Sequence, residues 1–127
     1  MRNGDSGKSR RRMEVRRGDI YMADLSSDSV DSVCRIRPVL IVQNNKGNAH
    51  STSYIAVLIT SKPKKYLPTH ITLGKRCGLR KKSTVLCEHL VTVRREMLMN
   101  YIGTIVNTED EKKLDKALAV SLQLPKK

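Results

Sequence analysis

Hydrophobic residues in this chain occur in short runs that are separated by polar turns, a rhythm typical of β-strands. In the first run, "IYMADL" at residues 20–25, Ile20 and Met22 face one way and Tyr21 and Ala23 the other. The later runs are "RPVLIVQ", "YIAVLIT", "HITL", "STVLC", "LVTV" and "YIGTIV". Spacings of roughly ten to fifteen residues between turn signals predict a mainly β fold, a small barrel or sandwich.

The run "YIAVLIT", residues 54–60, is apolar at nearly every position, which predicts a central strand covered on both faces. Pro38 stands at the first position of "PVLIVQ", where its missing N–H costs least. The segments "SSDSVDSV" and "NNKGNAHSTS" are rich in Ser, Asn, Asp and Gly. We expect a polar loop in the first and turns in the second.

The last segment changes to a helical period. Thr108 and Glu111 form a T-x-x-E pattern, in which each side chain satisfies the other residue's free backbone N–H, so a helix is predicted to begin there. The residues on its apolar face are Leu114, Ala117, Leu118, Ser121 and Leu122. This face is predicted to pack on the strands. A second, short helix is predicted at "REMLMN", residues 95–100.

The chain is strongly basic, with 25 Lys and Arg against 12 Asp and Glu and a net charge of +13, which points to a polyanionic partner. Residues 1–12, "MRNGDSGKSRRR", lack apolar periodicity and are predicted to form a disordered basic arm ahead of a single domain, 13–127. Eight basic residues and no acidic one lie between Lys62 and Lys82. We interpret this run as a surface for a phosphate backbone, the alternative being a solvated surface that aids solubility.

Several classes of function are disfavoured by what the sequence lacks. No apolar run reaches the ~18 residues that span a bilayer, and no signal peptide is evident, so we expect a cytoplasmic protein. Cys34, Cys77 and Cys87 show no C-x-x-C spacing, which argues for reduced structural thiols and against a zinc site. No cofactor is expected. With no Phe or Trp, the chain lacks the usual platforms for stacking bases.

The two arginines ahead of "PVLIVQ" are candidate functional residues. Arg37 leads directly into a strand, so its backbone is expected to be rigid, and a guanidinium there can donate to a phosphate at every working pH. The alternative is a salt bridge to Asp24, Asp28 or Asp31. Spacing alone does not choose between the two.

A set of motifs resembles the MazF/PemK (Kid) family of toxin endoribonucleases, over most of residues 15 to 122. The motifs occur in family order as "VRRGDIYMADL", "RPVLIVQNNKGN", "IAVLIT", "LPTHI", "GL", "STVLCEH" and "IG". Two segments depart from the family pattern: "VDSVCR", residues 30–35, replaces a loop like "GSEQGG", and "EHLVT" replaces "EQIRT".

The resemblance implies a small SH3-like β-barrel, CcdB/PemK-like, with a C-terminal helix, assembled as a homodimer. It implies a metal-independent toxin that cuts single-stranded RNA at short sequence motifs and leaves a 2′,3′-cyclic phosphate and a 5′-hydroxyl. It also implies a cognate MazE-like antitoxin that holds the toxin inactive.

For the site, the resemblance makes Arg37 catalytic, as the arginine before "PVL". Ser53, in "STS", is expected in place of the family's catalytic threonine, with Thr52 as the neighbouring alternative. His50 is a candidate general base. We expect RNA contacts from Arg35, Gln43, Asn44, Asn48, His50, Lys64, Lys65, His70, Arg80, Lys81, Lys82, Glu88 and His89.

Two other functions fit the same architecture. One is a non-catalytic inhibitor of DNA gyrase, because toxins of that kind use the same barrel. The other is an RNA-binding module that grips phosphates without cutting. Retention of Arg37 and of the "STS" hydroxyls favours the endoribonuclease over both.

Overall fold

Six strands form one curled antiparallel sheet in the part of the chain that this computed structural model describes, residues 14–26 and 35–125. The predictions for the N-terminal arm and for Asp28, Asp31 and Cys34 lie outside these residues. The strands are β1 Asp19–Asp24, β2 Ile36–Ile41, β3 Ser53–Thr60, β4 His70–Leu73, β5 Ser83–Arg94 and β6 Leu98–Thr104. Their order in the sheet is β4-β5-β3-β2-β1-β6.

Both faces of the sheet are covered, as the apolar runs predict. Ile20, Leu40 and Val57 belong to one core cluster, together with residues of the C-terminal helix α2, Glu109–Leu122. Their neighbours along the strands, such as Tyr21 and Val39, belong to a second cluster on the opposite face. Each such side chain contributes about 1.5–3 kcal/mol by leaving water. The predicted mainly β fold with a C-terminal helix is therefore confirmed.

Helix α2 begins at Glu109 with Thr108 as its N-cap, which confirms the predicted helix start. Leu114, Ala117 and Leu118 are buried as predicted, whereas Leu122 is 51% exposed. The Thr108 hydroxyl donates to the carbonyl of Ile105 (2.6 Å), and the Glu111 carboxylate accepts from the backbone N–H of Asn107 (2.9 Å). The predicted reciprocal capping box is therefore wrong, because both side chains bond the turn before the helix instead.

Three other local predictions differ from the structure. The segment predicted as turns contains a short helix, α1, Asn45–His50. The runs "STVLC" and "LVTV" are one continuous strand, β5, with an irregularity in its pairing opposite Val57 and Leu58. The predicted helix at 95–100 is only a 3-10 turn, Arg95–Met97, because Leu98 already belongs to β6.

Candidate active site

Arg37 lies exposed near the start of β2, opposite Ala23 of β1. It makes no ion pair with any residue in 14–26 or 35–125. The carboxylate of Asp24 instead accepts from the backbone N–H of Ser26 (3.0 Å) and from its hydroxyl. These hydrogen bonds lower the pKa of Asp24. The alternative in which Asp24 neutralises Arg37 is therefore wrong, whereas the alternatives with Asp28 and Asp31 lie outside the described residues. Within those residues, no carboxylate occupies the guanidinium, so it can bind an anion.

The pairing of β2 with β3 brings Thr60 toward Arg37. Val39 pairs with Leu58 and Leu40 with Val57, and the same register continued by two residues sets Arg37 level with Thr60. Side chains alternate along a strand, so Arg37 shares a face with Val39, and Thr60 with Leu58. The hydrogen-bonded pairing ends at Val39 and Leu58, so Arg37 and Thr60 lie two residues beyond it on the two strands. The long side chain of Arg37 and the hydroxyl of Thr60 can therefore approach one phosphate group.

The hydroxyl of Thr60 is positioned by its own chain. Thr60 is the last residue of β3, and its Oγ1 accepts a hydrogen bond from the backbone N–H of Lys62 at 3.2 Å. A hydroxyl has one donor and two acceptor positions, so the Thr60 proton stays available. It can donate to an anion placed over the strand end.

Ser53 lies at the opposite end of the same strand. It is seven residues before Thr60, roughly 23 Å along a strand, and pairs with Arg94 of β5. The backbone N–H of Ser53 donates to the hydroxyl of Ser51 (3.0 Å), and the carbonyl of Thr52 accepts from Arg95 (2.8 Å). The expected pairing of Arg37 with Ser53 or Thr52 is therefore wrong.

His50, the candidate general base, is equally remote from Arg37. It is the exposed last residue of α1, three residues before the start of β3. The whole length of β3 therefore separates the His50 imidazole from the Arg37 end of the sheet. At that distance the imidazole cannot take a proton from a group bound at Arg37.

Three of the expected RNA contacts are used inside the protein. The amide of Gln43 donates to the carbonyl of Ser53 (3.2 Å) and to Oδ1 of Asn48 (3.1 Å), and its Oε1 accepts from the N–H of Ile55 (3.3 Å). Asn48 is only 4% exposed, and its Nδ2 donates to the carbonyl of Gln43 (2.9 Å). Asn44 caps α1 by accepting from the N–H of Gly47 (2.7 Å). All three side chains hold the α1 turn. Asn48 is buried, so the RNA contact expected of it is wrong. The contacts expected of half-buried Gln43 and exposed Asn44 stay predictions.

His70 and Glu88 form a hydrogen-bonded pair between β4 and β5. Nε2 of His70 lies 2.9 Å from Oε2 of Glu88, and the hydroxyl of Thr69 donates to Oε1 at 2.8 Å. Partial burial acts to raise the pKa of Glu88, but the hydrogen bonds from His70 and Thr69 outweigh it and lower the pKa. Glu88 is thus held ionised, and exposed His89 lies 3.9 Å away.

The basic run lies at the surface, as predicted. Arg35, Lys64, Lys65, Arg80, Lys81 and Lys82 are all exposed. Arg80 and Lys81 line a cavity of about 650 Å³ together with Pro38 and Ser61, which directly follow Arg37 and Thr60 in the chain. Asp110 borders the run, since its carboxylate lies 3.9 Å from the Arg76 guanidinium.

The thiols of Cys77 and Cys87 stay protonated and are therefore unreactive. Cys77 and Cys87 are buried, and burial is the main cause that raises the pKa of each, that of Cys87 to about 12. Within the described residues, no group of three His, Cys, Asp or Glu side chains is arranged to hold a metal ion. No helix there is long and apolar enough to cross a membrane.

Fold and site together define a small β domain with a cationic, hydroxyl-bearing strand end suited to a polyanion. Residues 16–122 match the family model of the PemK-like, MazF-like toxins of type II toxin–antitoxin systems. The chain belongs to this family. The predicted MazF/PemK membership is therefore confirmed.

Named relatives extend the comparison. The chain is 40% identical over 114 residues to the endoribonuclease EndoA of Bacillus subtilis, covering 88% of this chain and 97% of EndoA. An endoribonuclease structure from a mycobacterial species superimposes with a TM-score of 0.74 at 28% identity, covering 91% of this chain and 97% of that one. A mycobacterial endoribonuclease in complex with its cognate antitoxin gives a TM-score of 0.75 at 28% identity, covering 89% and 99%. The predicted enzyme class is that of these relatives.

Proposed function

We propose that this toxin-family protein is a sequence-selective endoribonuclease that cleaves single-stranded RNA without a metal ion. The observation that carries the proposal is the register of β2 and β3, which, continued by two residues, supports a site with Arg37 and Thr60 on one face at the same strand end. The endoribonuclease named as a 40% identical relative supports the same reaction class.

The reaction that suits these groups is attack of a ribose 2′-hydroxyl on its own 3′-phosphate. The 2′-oxygen forms a bond to phosphorus and the bond to the 5′-oxygen breaks, so a 2′,3′-cyclic phosphate and a 5′-hydroxyl result. The 2′-hydroxyl gives its proton to a water molecule, and the leaving 5′-oxygen takes a proton from water, because neither the Arg37 guanidinium nor the Thr60 hydroxyl is a base at neutral pH. Negative charge grows on the non-bridging oxygens in the transition state, and groups that bind this charge accelerate the step.

Arg37 and Thr60 each bind part of the negative charge on the phosphate oxygens. The guanidinium of Arg37 is charged at every working pH, and it donates in a fork that matches two phosphate oxygens. The Thr60 hydroxyl can donate one further hydrogen bond, because the N–H of Lys62 uses only one of its acceptor positions and leaves its proton available. The fixed charge of Arg37 does what a metal ion would otherwise do, and so we propose that cleavage proceeds in the presence of a chelator.

Two partners follow from the same proposal. β4 and β6 are the edge strands of the sheet, and a second copy of the chain that covers an edge would protect it, so we propose a homodimer. A solved relative is in complex with its cognate antitoxin. For this chain, with a net charge of +13, we propose an acidic antitoxin segment that competes with RNA, both acting in the cytoplasm.

Cleavage of a mixed RNA in excess EDTA tests the reaction. New ends are mapped by a ligation that requires a 5′-hydroxyl, with Arg37→Ala as the matched inactive variant. We expect cuts at a short recurring motif for the parent and none for Arg37→Ala. Equal products from both proteins, or products only after metal is added, would contradict the proposal.

The same preparations separate the alternatives. A plain RNA-binding module would bind RNA without products, and a gyrase inhibitor would block supercoiling while RNA stays intact. For RNA binding by Arg37→Ala, we expect affinity to fall steeply with salt, because the basic surface between Lys62 and Lys82 displaces counterions. An RNA affinity that does not change with salt concentration would show that this basic surface does not bind the RNA backbone.

A further inference from the structure

A second binding feature lies beside the proposed cleavage site. The cavity of about 650 Å³ is lined in part by Pro38 and Ser61. Pro38 directly follows Arg37 in the chain, and Ser61 directly follows Thr60. Consecutive Cα atoms are 3.8 Å apart, and consecutive side chains point to opposite faces of a strand. The cavity therefore opens on the other side of the same strand end from the two proposed catalytic groups.

The walls of this cavity are formed by both apolar and polar side chains. Met22 pairs with Pro38 on β2 and with Asn100 on β6, so these three side chains share one wall across three adjacent strands. Leu79 and Ile102 add apolar surface. The volume lies within the range of about 300–1,000 Å³ that is usual for small-molecule sites, and a nucleobase is small enough to enter.

The charges at the cavity favour a nucleotide over an uncharged ligand. Arg80 and Lys81 line it and are exposed, and no acidic side chain of the described residues lines it. A base inside the cavity would keep its phosphate outside, near these two cations. Asn100 supplies a side-chain amide, which both donates and accepts and matches the N6 and N7 edge of adenine.

We propose that this cavity is a specificity subsite, which takes the unpaired base next to the cleaved phosphate and reads it through Asn100, with adenine the best match. The inference rests on the proposed RNA cleavage. An RNA strand crossing the ends of β2 and β3 places its phosphate at Arg37 and Thr60 on one face, and the adjoining base in the cavity on the other. Single-stranded RNA allows this, because its bases can turn outward.

The test compares the parent with Asn100→Ala, Asn100→Gln and Met99→Ala. Met99 is the neighbouring residue on β6, is 49% exposed and does not line the cavity, so its variant is the matched control. Cleavage ends in a mixed RNA are sequenced for all four proteins. Binding is also measured for labelled pentanucleotides that differ only in the base at one position, with Arg37→Ala introduced in each protein to prevent cutting.

We expect the parent and Met99→Ala to prefer adenine at one position beside the cut. In Asn100→Ala, the ratio of adenine to other bases at this position should fall by about fivefold or more. Asn100→Gln keeps the amide and should retain part of the preference. Thermal melts show whether each variant is folded. An unchanged motif and unchanged base discrimination in folded Asn100→Ala would overturn the inference, as would a parent without preference at any adjacent position.

The binding measurement separates this inference from the proposed function. If the parent makes no products but discriminates among pentanucleotides, and Asn100→Ala abolishes that discrimination, the base subsite stands and RNA cleavage fails. If the parent cleaves RNA and Asn100→Ala leaves its base preference intact, cleavage stands and the subsite fails.

Discussion

Gly78 and Gly103 pack backbone against backbone, where the turn that follows Lys75–Cys77 meets strand β6. A Cβ atom on Gly103 would overlap the carbonyl oxygen of Cys77, and one on Gly78 would overlap the carbonyl oxygen of Ile102. Gly78 also has φ +100°, a conformation that side chains disfavour. This contact joins β6, at one edge of the sheet, to the segment between β4 and β5.

Substitution of either glycine by alanine should therefore destabilise the protein. We expect Gly103→Ala to lower the free energy of unfolding by about 1–3 kcal/mol or more, because the obstacle is rigid backbone. Gly74→Ala is the matched control, since nothing lies within 4 Å of a Cβ at that position. Urea unfolding of the three proteins checks this, and a Gly103→Ala midpoint equal to that of Gly74→Ala would contradict it.

The Asn48 side chain is predicted to stabilise the folded protein. Its amide ties α1 to the end of β2 by donating to the carbonyl of Gln43, and it is almost fully buried. Asn48→Ala leaves that carbonyl and the Gln43 amide short of partners, at a cost of about 1–3 kcal/mol. Lys46→Ala, an exposed change on the same helix, is the control. Equal melting temperatures for the two variants would show that the α1 network contributes little.

Glu88 should make stability depend on pH in the acid range. Its pKa in the folded protein lies below the usual value of 4.5, so its contribution is complete above pH 4.5 and is lost as the pH falls through the folded pKa. Glu88→Gln should be less stable than the parent at pH 7, and the difference should shrink on acidification. Glu14→Gln, at an exposed position near the N-terminus, is the control. A difference for Glu88→Gln that stays constant from pH 7 to pH 3 would contradict this.

Much of the fold could be predicted from local patterns. Alternation placed Ile20 and Tyr21 on opposite faces, and the helical period placed Leu114 and Leu118 in the core. Helix α1 could not be read in the same way, since it has six residues and depends on a cap from Asn44 and on burial of Asn48. Tertiary contacts of this kind leave no periodic signal.

The candidate site was only half predictable for a related reason. Arg37 is marked by its place before an apolar strand, but its partner depends on how β2 pairs with β3, which is a non-local property. Ser53 is closer to Arg37 in sequence than Thr60 is, yet the antiparallel return of the chain brings Thr60 back beside it. A hydroxyl at the far end of an apolar run next to an arginine-led strand is the signal that could have found it.

We expect Arg37 and Thr60 to act together on one phosphate, and the single-turnover cleavage rate of a defined RNA in EDTA tests this most directly. We expect Arg37→Ala and Thr60→Val each to lower the rate by about a hundredfold or more, the usual effect of removing one group that binds transition-state charge. Ser53→Ala, at the other end of β3, should keep the parent rate within about twofold. A folded Thr60→Val that cleaves like the parent, beside an inactive Ser53→Ala, would contradict the account.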